Sequence, residues 1–184
     1  MAAVCVFCAS SRTLAPRWLE VARETGTELA RRGHTLVSGG GRVGMMGAVA
    51  TAARAGGGRT VGVMPRPLVA LEVSDLDADE QVITDDLATR KSLMIAKSDA
   101  FLTLPGGLGT LDELFEVWTL GVLGFHGKPF VLVNVDGFYT GLVSWLRGLA
   151  GSGFARAAAV ERLVVVDSVP AALDAIEGLL DGSA

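Results

Sequence analysis

The chain has 184 residues, half of them hydrophobic but only 6% aromatic, with 20% charged and a formal net charge of −4. That length suits one domain or at most two small ones, the aliphatic content excludes intrinsic disorder, and the acidic balance argues against a general nucleic-acid binder. Mean hydropathy is high at +0.45, yet no run reaches the roughly 18 apolar residues a membrane span needs.

The first eleven residues lack the basic region of a secretory leader, so a cytoplasmic setting is the expectation. They carry instead an apolar run, Val4–Cys8, that reads as a strand. Helical apolar spacing follows over Pro16–Arg32, then a strand at Thr35–Ser38, a helix over Gly44–Ala55 and a strand at Thr60–Met64. Leu68–Asp79 is the one long irregular stretch. Beyond it alternate a strand at Glu80–Ile83, a helix over Asp85–Ser98, a strand at Ala100–Leu104 and a helix over Thr110–Leu123. A strand at Phe130–Asn134, a helix over Thr140–Ala150, a strand at Leu163–Val166 and a helix from Val169 to Leu180 complete the chain. Apolar strands each followed by a helix predict a parallel sheet covered on both faces. With right-handed crossovers this is an α/β, Rossmann-like doubly wound sheet of about seven strands, read as a single domain over the whole chain. Ligands of such sheets bind beyond the carboxyl ends of the strands, so chemistry is expected after Cys8, Ser38, Met64 and Leu104.

The two cysteines, Cys5 and Cys8, have C-x-x-C spacing, but residues three apart on a strand face opposite sides. No second pair completes a zinc set, so both are expected to be buried thiols. His34 and His126 are not spaced as ligands and read as loop or surface residues. No metal is expected.

Two glycine loops stand at strand ends. In Ser38–Gly47, Gly39, Gly41 and Gly44 fit G-x-G-x-x-G, but that fingerprint also needs an acidic residue about 20 positions on. From Leu29 to Leu71 there is no Asp or Glu, while Arg31, Arg32, Arg42, Arg54, Arg59 and Arg66 all fall inside. A dinucleotide site is thereby disfavoured. An anion site remains, with Gly40 and Gly41 as candidate substrate contacts; the rival reading is a tight turn with surface arginines. In the second loop, Pro105-Gly-Gly-Leu-Gly-Thr110, glycines would let a phosphate approach the backbone. No Lys follows the last glycine, so it is not a P-loop. Thr110-x-x-Glu113 also fits a capping box, a purely structural explanation of both residues. Upstream, Arg90 and Lys91 flank the helical stripe made by Leu87 and Met94, and cations on a packed face need an anionic partner.

At this point the residues resemble a known family. Pro105-Gly-Gly-Leu-Gly-Thr-Leu-Asp-Glu113 is similar to the P-G-G-x-G-T-x-x-E signature of the LONELY GUY (LOG) family. Val6–Ser11, Gly39–Gly47, Arg90-Lys91, Gly124–Pro129 and Asn134–Gly137 agree with it. The resemblance implies a homodimeric Rossmann-like enzyme without a cofactor. It would cleave the N-glycosidic bond of N6-substituted adenosine 5′-monophosphates, releasing free base and ribose 5-phosphate. Carried over by residue, it implies that Gly107, Gly109 and Thr110 hold the 5′-phosphate and that Arg90 and Glu113 are the catalytic pair. Lys91, Glu72, Thr119, Leu108, Leu111 and Asp112 fall at further substrate-contacting positions. Two departures, Ser38 in place of Tyr before the triple glycine and Ala88-Thr89 before the Arg-Lys pair, leave the preferred N6 substituent unspecified.

The chemistry is consistent with the residue types. Glycosidic cleavage passes through an oxocarbenium-like state that a carboxylate stabilises while orienting water. Arg90 would orient Glu113 or stabilise charge on the leaving base. A lysine decarboxylase would need a Schiff-base lysine, and only Lys91, Lys97 and Lys128 are available. The alternative of a different class is a non-catalytic nucleotide or molybdenum-cofactor carrier. The apolar residues Val117, Trp118, Leu120, Val122, Leu123 and Phe125 predict a dimer surface.

Overall fold

In a computed structural model of the chain, residues 1–69 and 74–182 are described. Strand β1 (Ala3–Phe7) buries both its faces, Val4 and Val6 on one side and Cys5 and Phe7 on the other. A strand apolar on both sides belongs at the centre of a covered sheet. It pairs in parallel with β2 (Thr35–Ser38) on one edge and β5 (Ala100–Thr103) on the other. With β3 (Thr60–Pro65), β4 (Glu80–Thr84), β6 (Phe130–Val133) and β7 (Val164–Val166), the order is β4-β3-β2-β1-β5-β6-β7, parallel throughout. This is the expected seven-strand, doubly wound architecture.

Helices α1 (Pro16–Arg31), α2 (Gly44–Ala55) and α8 (Val169–Asp181) cover the Val4 face through Leu29, Met45, Val49 and Leu173. The opposite face is covered by α4 (Leu87–Ala96), α5 (Leu108–Val122) and α6 (Thr140–Gly151), through Met94, Leu114, Trp118 and Leu146. Two short helices, α3 (Arg66–Val69) and α7 (Ala157–Glu161), were not legible from periodicity because neither completes two turns.

Several expectations are corrected. Helix α5 starts at Leu108, two residues before the expected Thr110, with Gly107 as its N-cap and no side-chain capping bond. Thr110 and Glu113 therefore do not form a capping box. His34 is not a surface residue: it is buried, accepts a hydrogen bond from the Ala2 amide at 3.2 Å and lies 2.9 Å from Glu177 on α8. Leu87 is largely exposed, so the stripe flanked by Arg90 packs at Met94 alone. Val117 and Trp118 are core residues rather than surface. Cys5 and Cys8 are free, buried and on opposite faces of the sheet, as their spacing requires. Among the described residues, no helix is long and apolar enough to cross a membrane.

Candidate active site

The direction of winding reverses between β1 and β5, and the crevice opened there is where such sheets bind ligands. A cavity of about 310 Å³ lies in it. Its walls are the Cys8–Ser11 loop after β1, Met46 of α2, Arg90 of α4, and Gly107–Thr110 with Glu113 from α5. A wider groove of about 870 Å³ runs along α1 and α2, but small residues and arginines line it and no carboxylate faces it.

The first turn of α5 supplies the anion-binding side. Amides in a first helical turn lack partners within the helix and carry the positive end of its dipole. The three glycines before and within that turn have different reasons to be there. A Cβ on Gly106 would sit 2.1 Å from Thr110 Oγ1, so the protein's own packing demands glycine. A Cβ on Gly107 or Gly109 would meet nothing within 4 Å. Both line the cavity, and glycine there leaves the amides bare to a ligand.

Arg90 forms the opposite wall. Its helix is capped by Asp86, whose carboxylate accepts from the Thr89 amide at 2.7 Å. The guanidinium is buried and donates from Nε to Val63 O at 3.0 Å and from Nη2 to Gly39 O at 3.3 Å. Its Nη1 lies 3.5 Å from Glu113 Oε1, an ion pair longer than a charge-assisted hydrogen bond. Burial, and after it the nearby Glu113 carboxylate, push the Cys8 thiol well above its ordinary range.

The first glycine loop has a role its fingerprint did not suggest. Gly39 O serves Arg90, Gly40 O accepts from the Asp75 amide at 2.9 Å, and Gly41 bridges to Ser74. Gly40 and Gly41 are buried and do not line the cavity. The arginines of the acid-free stretch are largely engaged: Arg31 with Glu28, Arg32 with Glu28, Asp174 and Glu177, Arg54 with Asp75, Arg59 with Glu80 and Arg66 with Asp85.

The structure thus brings together Arg90, Glu113, Gly107, Leu108, Gly109 and Thr110. Lys91 lies outside the cavity, paired with Asp112 at 2.9 Å and Glu116 at 2.6 Å. Thr119 is exposed and Leu111 half-buried, both away from the cavity walls. Glu72 lies outside the described residues. Ser10, Ser11 and Met46 line the cavity without having been singled out. The serine pair at the end of a central strand was the available signal.

Fold and cavity define the class: a Rossmann-like α/β protein whose sheet-switch crevice faces bare helix-terminal amides with an acid–guanidinium pair. The chain belongs to the family described as possible lysine decarboxylase, whose model matches residues 46–176. It is 56% identical over 172 residues to the cytokinin riboside 5′-monophosphate phosphoribohydrolase of Mycobacterium tuberculosis, spanning 94% of this chain and 91% of that protein. It is 40% identical over 178 residues to the Arabidopsis thaliana enzyme of the same name, LOG1, covering 97% of this chain and 82% of that one. Among solved structures, the molybdenum cofactor carrier protein of Chlamydomonas reinhardtii superposes with a TM-score of 0.73 at 23% identity, over 97% of each chain. At that identity the likeness is one of fold alone.

Proposed function

We propose that this chain is a phosphoribohydrolase that cleaves the N-glycosidic bond of adenosine 5′-monophosphates, including N6-substituted ones, to free base and ribose 5-phosphate. The observation that carries the reading is that one small cavity holds both the bare amides of α5 and the Arg90–Glu113 pair. The family membership and the relatives' activity support it.

Gly107, Leu108, Gly109 and Thr110 hold the 5′-phosphate at the helix N-terminus. Glu113 lies one turn further along α5, where the ribose of a nucleotide anchored by its phosphate comes to rest. Its carboxylate stabilises the cationic sugar and accepts a proton from the water that adds to C1′. The C1′–N bond breaks and the base leaves with the electron pair, taking up a proton. Arg90, fixed by two backbone carbonyls, holds Glu113 in place and offsets charge on the departing base. A decarboxylase reading does not fit these residues. Lys91 and Lys97 are ion-paired and Lys128 donates to Ile95 O, and none of the three lines the cavity to form a Schiff base.

The active form in this reading is a homodimer of one-domain subunits. Helix α5 buries Thr110, Leu114, Val117, Trp118 and Gly121. Beside that face, at helical spacing, stand Leu108, Leu111, Phe115 and Val122; the last three are only partly buried against the core and Leu108 is 89% exposed. An apolar stripe wider than one packed face is one that an assembly can cover. Lys91 and Asp112 pair with each other outside the cavity and Thr119 is exposed, so any substrate contact they make depends on the assembly. Glu72 keeps the substrate role implied by the family resemblance. The buried free thiols suit a reducing, cytoplasmic setting.

Incubation with AMP and with isopentenyladenosine monophosphate tests the reading. Free base and ribose 5-phosphate are expected, with adenosine a very poor substrate. Nucleotide bound but returned intact would instead favour a non-catalytic carrier.

A further inference from the structure

The turn Asn134–Tyr139 has no part in the mechanism above, yet it is unusually constructed. Asp136 has φ +53°, a left-handed conformation that no other non-glycine residue adopts among those described. Asn134 holds the turn closed, its Oδ1 accepting from the Tyr139 amide at 2.7 Å and its Nδ2 donating to Thr140 Oγ1 at 3.2 Å. Strain of this kind persists where the surroundings impose it. What the turn delivers is Tyr139, the only tyrosine of the chain, at the N-cap of α6. Its ring is buried and packed edge-on against Phe138, with centroids 4.7 Å apart.

Its hydroxyl donates to Leu104 O at 2.9 Å across the interior. Leu104 is the residue from which the Pro105–Thr110 loop departs. On the other side of that residue, Leu104 N donates to Phe7 O at 2.9 Å, and beyond it Pro105 O accepts from the Ala9 amide at 3.3 Å. The root of the loop is thus held from β1 and from the α6 turn. Removing the hydroxyl would leave a buried carbonyl without this donor and let the root relax.

We propose that Tyr139 is a positioning residue for phosphate: its hydroxyl fixes the Leu104 carbonyl and thereby aims the Gly107–Thr110 amides at the anion. This rests on the phosphate role given to that loop. A group held by amides alone is sensitive to their aim, and misplacement well below an ångström weakens several hydrogen bonds at once.

The test compares the full-length protein with Tyr139→Phe, which keeps the ring and its packing. Two quantities are read: inhibition by ribose 5-phosphate and the steady-state constants for AMP. In the Phe variant, the ribose 5-phosphate inhibition constant and the AMP KM are expected to rise about tenfold, as for one lost buried hydrogen bond. The kcat is expected to change less than the KM, because Glu113 lies a turn further into α5, where the helix is packed through Leu114, Val117 and Trp118, and Arg90 is held by the Val63 and Gly39 carbonyls. A lower melting temperature with both constants unchanged would make Tyr139 merely structural and overturn the proposal. If the parent protein itself fails to bind ribose 5-phosphate, the phosphate reading of the loop falls, and this proposal with it. Binding by the parent that Tyr139→Phe matches would sink this proposal alone.

Discussion

Gly39 and Arg90 share one space: a Cβ on Gly39 would lie 1.8 Å from Arg90 Nη2. The guanidinium therefore passes through the volume that any other residue at 39 would fill, and it bonds to the Gly39 carbonyl there. Gly39→Ala is expected to retain the fold while expelling the guanidinium from its place beside Glu113. Arg90→Lys should resemble it, because an ammonium cannot serve two carbonyls and a carboxylate in one plane. For both we expect kcat to fall by about 10²-fold, as when a transition-state donor is lost, with KM moving less. Unchanged kcat in either variant would remove Arg90 from the catalytic pair.

Glu113→Gln isolates the charge. Glu113 lies past the first turn of α5, outside its N-cap at Gly107, so the amide should leave the helix intact. Nucleotide binding is expected to persist and kcat to drop by on the order of 10²-fold or more. Single-turnover assays with AMP measure this, and turnover equal to the parent's would transfer the role elsewhere.

Gly109→Ala separates stability from function. The added methyl meets nothing in the protein, and alanine favours a helix over glycine by up to about 1 kcal/mol. The melting temperature is expected to hold or rise while the KM for AMP increases severalfold, because the methyl stands where the phosphate approaches. A variant with unaltered KM would mean that the ligand does not come near this turn.

The apolar stripe Leu108, Leu111, Phe115 and Val122 of α5 is expected to be covered further by a second copy. Phe115→Glu should convert a dimer to monomers in sedimentation velocity, with the melting temperature read beside it because Phe115 also stacks on Trp118 of its own subunit. A parent protein that sediments as a monomer at micromolar concentration would contradict the assembly.

Acid should loosen the α1 end of the molecule. Glu28 binds Arg31 at 2.8 Å and Arg32 at 3.2 Å, and these bonds, Arg31's foremost, lower its pKa from 4.5 to about 2. A carboxylate whose folded pKa is depressed adds stability that is fully present above its unfolded value and is lost as pH falls through the folded one. Melting temperature should therefore decline between pH 4.5 and 2. Glu28→Gln should flatten part of that decline, and the two curves should converge near pH 2.

The strand ends were legible because parallel strands buried on both faces are written as unbroken apolar runs. The Gly107–Thr110 loop was legible because a glycine cluster at a strand end has few structural explanations, while Glu113 was named through the family resemblance. Sequence spacing failed where two local rules competed. Thr110-x-x-Glu113 satisfies a capping box, but Gly107 caps the helix three residues earlier than that box would. Gly40 and Gly41 looked like a ligand cradle, whereas their loop serves Arg90 and Asp75 from 35 or more positions downstream. Such long-range demands leave no periodic trace. The same holds for His34, whose partner Glu177 is 143 residues away.

The central place of β1 has a cost during synthesis. Its second neighbour arrives late: Ala3 waits for Asp99, 96 residues further on, to complete its hydrogen bonding. At ribosomal speeds of about 5–20 residues per second, the β5 edge of β1 stays open for several seconds or longer. In that interval the nascent chain presents an apolar, unprotected strand, the kind that templates aggregation. The crevice does not exist until this gap closes, since its two walls come from the strands that close it. Folding of the last half is thus what creates the enzyme, and a truncated chain that stops before β5 would hold the first glycine loop without any pocket to serve.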